Sequence, residues 1–501
     1  MTRMRRLVFA FCAGAALAAC SSGGAGGSGP TINSFTATPS SLPAGGGSVT
    51  LAWNVNGATS LSIDQSVGAV TPATSGSKSV QVTSSTTFTL TATGSSGNST
   101  MTAAVTVAAG PVTITVNGTV TDEYGAINPG QTVLITNTSA SFSQSAISSA
   151  TGTFSVANVP TPYDATVLDS GGTVVVQYLG LTRADPALMD LVVGPTPLSS
   201  SLAGQLSGGT FPQTSGYETN MFFASPQTNL GNGSLSVSTS GAYSEAVDWA
   251  GPSTTTGTLY ALQIHTVSGL PADYSYGTKS NVLLQDMGAL TGQNIALSSV
   301  TAGTLSGAVT VPAGYTLTNI GAYFVPGDGA LVQAFADTSP STSFSYVSPA
   351  VPNSTLDLLV QATGPGSSLL LFKKEGISAN TTGIAATIVA PPSQLLPVAA
   401  ATGVSVTTQF SWTNTAGVYL FAATGSGANY YVFTTATTGT IPDLSAVGVQ
   451  LPASAAYQWL IVGIAPQTSV DSLAIPGGLI GLELVDGTFS ESAERDFTTS
   501  P

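Results

Sequence analysis

Cysteine is almost missing from this chain: 501 residues hold two, Cys12 and Cys20, both near the start. No disulfide can therefore form within anything downstream, and any folded domain must be held by burial alone. Histidine occurs once, as His265. One histidine without free cysteines excludes an ordinary zinc centre. A Ser-His-Asp triad would have to use His265, which alternates opposite Leu262 and Ile264 and reads as a partly exposed strand position. No G-x-S-x-G elbow accompanies it, and GTLSG at 303–307 is only superficially close. Charge is scarce too, at 6% of residues, and what there is leans acidic, with a net charge of −14. An acidic, lysine-poor surface argues against nucleic acid or anionic lipid as a partner. No apolar run after the N-terminus approaches transmembrane length. Helical patterning is nearly absent; ADPALMDLV at 184–192 is the best candidate and could equally be a strand with its turn.

What is present begins with the first thirty residues. Arg3, Arg5 and Arg6 form a positive segment, and Leu7 to Leu17 is almost wholly apolar, the length of a secretory h-region and too short to span a bilayer. Arg5-Arg6 hints at a twin-arginine signal, but the flanking residues fit ordinary secretion better. Leu17, Ala18, Ala19 and Cys20 resemble the lipobox of bacterial lipoproteins. That resemblance implies a diacylglyceryl group on the Cys20 thiol, cleavage before it, and acylation of the new terminus. Several acyl chains anchor stably where one would not. Ser21 stands where the enteric version of the family uses aspartate for inner-membrane retention, which implies the outer membrane. Removing residues 1–19 leaves six basic residues against 23 acidic ones, a charge of −17. Residues 20–29 then read as the lipidated cysteine and a flexible Gly/Ser tether.

The remainder reads as all-β, a tandem of β-sandwich domains with Ser/Thr-rich alternation and Gly/Pro turns. In 30–108, VTLAWNV puts Val49, Leu51, Trp53 and Val55 on one face, and TFTLTAT does so with Phe88, Leu90 and Ala92. The segment resembles bacterial immunoglobulin-like domains, without the cysteine pair of antibody domains. In 111–197, TVNGTVTDEYGAINPGQTVLI and ATGTFSVANVPTPYDATV resemble carboxypeptidase-regulatory-like (transthyretin-like) modules. Gly118, Val120, Asp122, Gly125, Val133, Gly152, Phe154, Val156, Pro160 and Tyr163 stand on the matching positions. Two further modules, 199–298 and 302–390, look like degenerate repeats of it: TGTFSV at 151, SGAYSE at 240 and STSFSY at 341 share one slot. After Pro391-Pro392, residues 393–501 resemble a fibronectin type III-like sandwich, with Trp412 and Trp459 in its core. Leu451 and Tyr457 stand as in a tyrosine corner, whose hydroxyl bonds back to nearby backbone.

Chemistry is harder to find. The carboxylate clusters are Asp122-Glu123, Glu218 with Glu245 and Asp248, and Asp486 with Glu491 and Glu494. A glycosidase needs two carboxylates on a catalytic scaffold, and these sit among turn and solvent residues. No calcium loop of the D-x-[DN]-x-[DN]-G type exists, though carboxylates from separate loops could meet. The 111–197 module has no lysine, and Lys279, Lys373 and Lys374 come late in theirs, so no Lys–Asn crosslink is expected. Trp249, Tyr274 and Tyr276 lie in loop-like sequence; they read first as padding for the module's own core or its interface with a neighbour, and second as candidates for stacking on a sugar. The expectation is a non-enzymatic, lipid-anchored envelope protein without catalytic residues, metal or cofactor, presenting β-domains for adhesion, scaffolding or protein–protein interaction. The alternative is a carbohydrate-binding accessory lipoprotein. Partners would be the membrane, through the lipid, and other envelope proteins or glycans, on either face of the outer membrane.

Overall fold

The computed structural model describes residues 29–501 apart from 111, 123–124, 192–197, 226–231, 236, 250–251, 328–330, 481–482 and 485. The described chain is all-β; its only helical turns are three short 3-10 segments at Pro365–Ser367, Ser445–Val447 and Val470–Ser472. The ambiguous 184–192 stretch resolves as the strand Ala187–Met189. Its three residues are all buried and pair in parallel with Thr119–Thr121. The chain divides into two compact units, residues 1–111 and 112–501.

In the first unit a three-stranded sheet (Thr31–Thr38, Gly47–Asn56, Ser75–Val82) faces a five-stranded one that includes Thr86–Gly94 and Gly97–Val107. The alternation read from the sequence sets the core: Val49, Leu51, Trp53 and Val55 are buried opposite Phe88, Leu90 and Ala92. Trp53 has no disulfide to lie on. It lies instead over Gly76 on the neighbouring strand, where even a Cβ would come within 2.7 Å of the indole, and its Nε1 donates to the Pro72 carbonyl at 3.1 Å.

The second unit contains one topology three times. In each copy the first strand (Thr113–Thr121, Leu198–Ser207, Ala302–Thr310) lies between two partners. The antiparallel partner is Thr153–Pro160, Ala242–Trp249 or Ser343–Pro349; the parallel one is Ala187–Met189, Gly288–Leu290 or Ile384–Thr387. The facing sheet runs in the order third, second, fifth, sixth strand in all three. The TGTFSV, SGAYSE and STSFSY segments thus enter the same structural slot.

Residues 393–501 do not simply follow the third copy in space. The strand Asn429–Thr434 runs parallel to Val174–Leu181, the sixth strand of the first copy, with Val174–Tyr178 opposite Asn429–Phe433. The strand Gly487–Glu491 runs antiparallel to Leu369–Ile377, the sixth strand of the third copy. A single 14-stranded sheet results, with the C-terminal strands in its middle. Its cores are shared accordingly. One cluster joins Val116, Val120, Val133 and Tyr178 with Val418, Leu420, Phe433 and Ile464. A second joins Phe222, Tyr260 and Tyr274 of the middle copy with Ile320, Phe324 and Leu358 of the next.

Candidate functional site

Cys20 and the lipobox residues Leu17, Ala18 and Ala19 lie outside the described residues. The three candidate sugar-stacking aromatics are described, and two of them, Trp249 and Tyr274, pack into cores. Trp249 is fully buried at the end of Ala242–Trp249, and its Nε1 donates to the Pro252 carbonyl at 2.8 Å. PADYSYG is not a loop. It belongs to the 16-residue strand Leu270–Gln285, whose alternation aims Tyr274 and Tyr276 at the adjoining copy. Tyr274 is buried and donates to the Val347 carbonyl at 2.9 Å; Tyr276 meets Phe324 edge-on, ring centroids 5.2 Å apart. The buried rings of Trp249 and Tyr274 offer no open face to a pyranose, whereas Tyr276 is half-buried. Trp249→Ala is therefore expected to destabilise its module by about 3–5 kcal/mol, the cost of emptying a large aromatic site. Chemical denaturation would measure it.

His265 fastens a hairpin. Its Nδ1 meets Asp273 Oδ2 at 2.7 Å across the hairpin, and its ring stacks on Tyr217 at 4.3 Å with planes 9° apart. The hairpin turns through Ser268 and Gly269, both at positive φ, which matches the right-handed twist of its long strands.

The carboxylate clusters are mostly dispersed. Glu218 lies on a different sheet from Glu245 and Asp248. Asp486 lies at the joint with the third copy, 3.9 Å from Lys374 Nζ, and accepts from the Glu375 backbone N–H. Burial and the neighbouring Glu494 raise the Glu491 carboxyl. At the same joint Asp357 is buried and accepts from the Gly376 N–H at 3.0 Å; its pKa is raised, chiefly by burial. A raised carboxyl contributes stability in acid that is lost as pH rises through its folded-state pKa. Asp357→Asn, which keeps the acceptor, should raise the melting temperature around neutral pH and leave it unchanged in acid. Thermal melts across pH would check this.

Asp122 behaves differently. It is 2% exposed, and its Oδ1 accepts from the Ala126 N–H at 2.9 Å; its sequence neighbour Glu123 lies outside the described residues. Beside it comes Asp190, which the sequence reading did not single out. Asp190 immediately follows the strand Ala187–Met189, and its N–H donates to the Thr121 carbonyl, so parallel pairing places it next to Asp122. Asp190 is fully buried. Its Oδ2 accepts from Asn128 Nδ2 at 3.3 Å, Asn128 Oδ1 accepts from Gln131 Nε2 at 3.0 Å, and Ser148 Oγ donates to the Asn128 carbonyl at 2.8 Å. Asp190 Oδ1 and Gln131 Oε1 are buried and accept no hydrogen bond from the protein. Burial above all, then Asp169 and Asp122, push the Asp190 carboxyl up to about 7. One signal could have found it: an aspartate in the middle of the otherwise apolar run ALMDLVV.

The modules themselves meet through built contacts. Tyr178 stacks on Phe433 at 5.0 Å across the parallel strand pair. Asp471 accepts from the Thr182 N–H at 2.9 Å, and its carbonyl accepts from Arg183 Nη1 at 3.1 Å. Ser490 Oγ donates to the Val389 carbonyl at 2.6 Å. The tyrosine corner expected at Tyr457 takes a longer path, its hydroxyl donating to the Ala428 carbonyl at 3.0 Å, 29 residues upstream. A shallow surface depression of about 640 Å³ lies beside it, between Thr424–Ser426, Ala456–Gln458 and Asp496–Thr498, with Asp496 its one carboxylate.

No family model matches the chain, and no curated protein does. Among solved structures, the Bacillus anthracis TIE protein is 12% identical, with 70% of this chain and 74% of that one covered and a TM-score of 0.16. The I-band fragment I67–I69 of titin is 12% identical over 55% of this chain and 98% of its own, TM-score 0.18. Sidekick-1 immunoglobulin domains 1–5 are 8% identical over 94% and 98%, TM-score 0.14. Likenesses at these scores carry no argument about this chain.

Proposed function

We propose that this is a non-enzymatic, lipid-anchored protein of the bacterial outer membrane that presents a rigid β-sheet body for adhesion, scaffolding or assembly with other envelope proteins. The observation that carries the reading is the continuous sheet: strands from three modules hydrogen-bond into one layer, a construction suited to holding a surface in fixed shape. Cys20 supplies the anchor and residues 20–29 the leash. The membrane is engaged through the lipid and the partner through a Ser/Thr-rich, mildly acidic surface; the scarcity of positive charge speaks against nucleic acid. Labelled fatty acid should enter the wild-type protein and not Cys20→Ala, and Cys20→Ala should leave the membrane fraction. Protease treatment of intact cells then tests the role. Digestion supports adhesion, protection until lysis supports periplasmic scaffolding, and an unlabelled wild-type protein overturns the anchor.

A further inference from the structure

We propose that Asp122, Asp190 and Gln131 bind a calcium ion at the end of the first transthyretin-like copy, with Asn128 holding the ligands in place. Three separate segments converge there: the residue after Thr113–Thr121, the loop leading into Thr132–Asn137, and the residue after Ala187–Met189. All four side chains are buried, at 2%, 0%, 7% and 4% exposure for Asp122, Asp190, Gln131 and Asn128. Two carboxylates side by side away from water repel each other and lose hydration. Residues 111–197 contain no lysine or histidine and one arginine, Arg183. That arginine is bonded to Asp185 at 2.9 Å and to the Asp471 carbonyl.

The independent observation is a neutral one. The Gln131 amide is fixed by its Nε2, which donates to Asn128 Oδ1 at 3.0 Å and to the Pro129 carbonyl at 3.3 Å, and its Oε1 accepts nothing from the protein. Asn128 in turn donates to one oxygen of Asp190, leaving the other without a donor. The network spends its N–H groups so that a carboxylate oxygen and an amide oxygen stay bare. A cation can take both without breaking a hydrogen bond, and it relieves the repulsion between the aspartates. Carboxylate plus amide carbonyl, completed by water, is the hard oxygen set that suits calcium, whereas magnesium dehydrates reluctantly and wants a stricter octahedron. No group of three or more His, Cys, Asp or Glu able to hold a metal occurs among the described residues. With two carboxylates the site belongs to the weak class, with an affinity of roughly 10⁻⁴–10⁻³ M, as in extracellular calcium modules.

The test uses the full mature chain stripped with a chelator, titrated with calcium chloride and, separately, with magnesium chloride and sodium chloride at matched ionic strength. Calorimetry should show saturable calcium binding, and calcium should raise the melting temperature where the other salts do not. Asp190→Asn should weaken binding at least about tenfold by removing one of the two charges. Gln131→Glu adds a third carboxylate and should tighten it about tenfold, which keeps the proposal testable if Asp190→Asn does not fold. No calcium response in the wild type overturns the proposal. So does an equal response in Asp190→Asn, an equal response to magnesium or sodium, or unchanged affinity in Gln131→Glu.

Discussion

Deleting residues 391–501 is expected to leave a protein that does not fold cleanly, rather than a string shorter by one domain. The deletion removes the strand paired with Val174–Tyr178 and the strand paired with Leu370–Lys373. Two sheet edges would open, each a row of unpaired backbone groups ready to join another chain. It would also strip Val418, Leu420, Phe433, Val462, Ile464 and Phe489 from the core built on Val116 and Tyr178. At about 1.5–3 kcal/mol for each large apolar side chain, that loss is comparable to the whole 5–15 kcal/mol by which a typical domain is stable. Size-exclusion chromatography and dye binding should show aggregated or loosely packed material. A fragment of residues 29–110, which has a core of its own, should melt cooperatively by itself. A clean, monomeric 112–390 fragment would mean that the joints are incidental.

The second large effect centres on Tyr178. It is fully buried at the parallel joint, its ring stacks on Phe433, and its hydroxyl accepts from the Met189 N–H at 3.0 Å. Tyr178→Ala should cost about 3–5 kcal/mol through lost burial and the cavity left behind. Tyr178→Phe should cost about 1–3 kcal/mol, because a buried N–H loses its acceptor. A double-mutant cycle between Tyr178 and Phe433 reads the joint itself. Stacked rings should couple by about 0.5–1.5 kcal/mol, and a coupling near zero would mean that the two modules do not share this core in solution. Equilibrium unfolding of the four proteins supplies every number needed.

Much of the individual domains was legible. Alternation named Val49, Leu51, Trp53 and Val55 as one buried face, and the motif of the second module named Val120, Val133, Phe154 and Tyr163, all buried. These are local facts, since a strand with one wet face must write its period into its side chains. Which core a strand faces was harder to read, for the complementary reason. Phe222 and Ala224 face one core while Met221 and Phe223 face another, so the strand is apolar on both sides. The continuous run MFFA was the signal, as was VYLFAA at 418–423, in which every residue is buried. A sheet covered on both faces loses its alternation and with it the distinction between own core and shared core.

The sequence by itself determined that this chain is all-β and builds its cores without disulfides. It also announced that one module is repeated, in the slot shared by TGTFSV, SGAYSE and STSFSY. The tertiary structure alone decided which strand edges meet and that Asp190 comes to rest beside Asp122. Edge pairing is made by backbone N–H and C=O groups, which every residue but proline carries alike, so no side-chain pattern announces it. A buried carboxylate differs from an exposed one only in what the rest of the fold has brought against it.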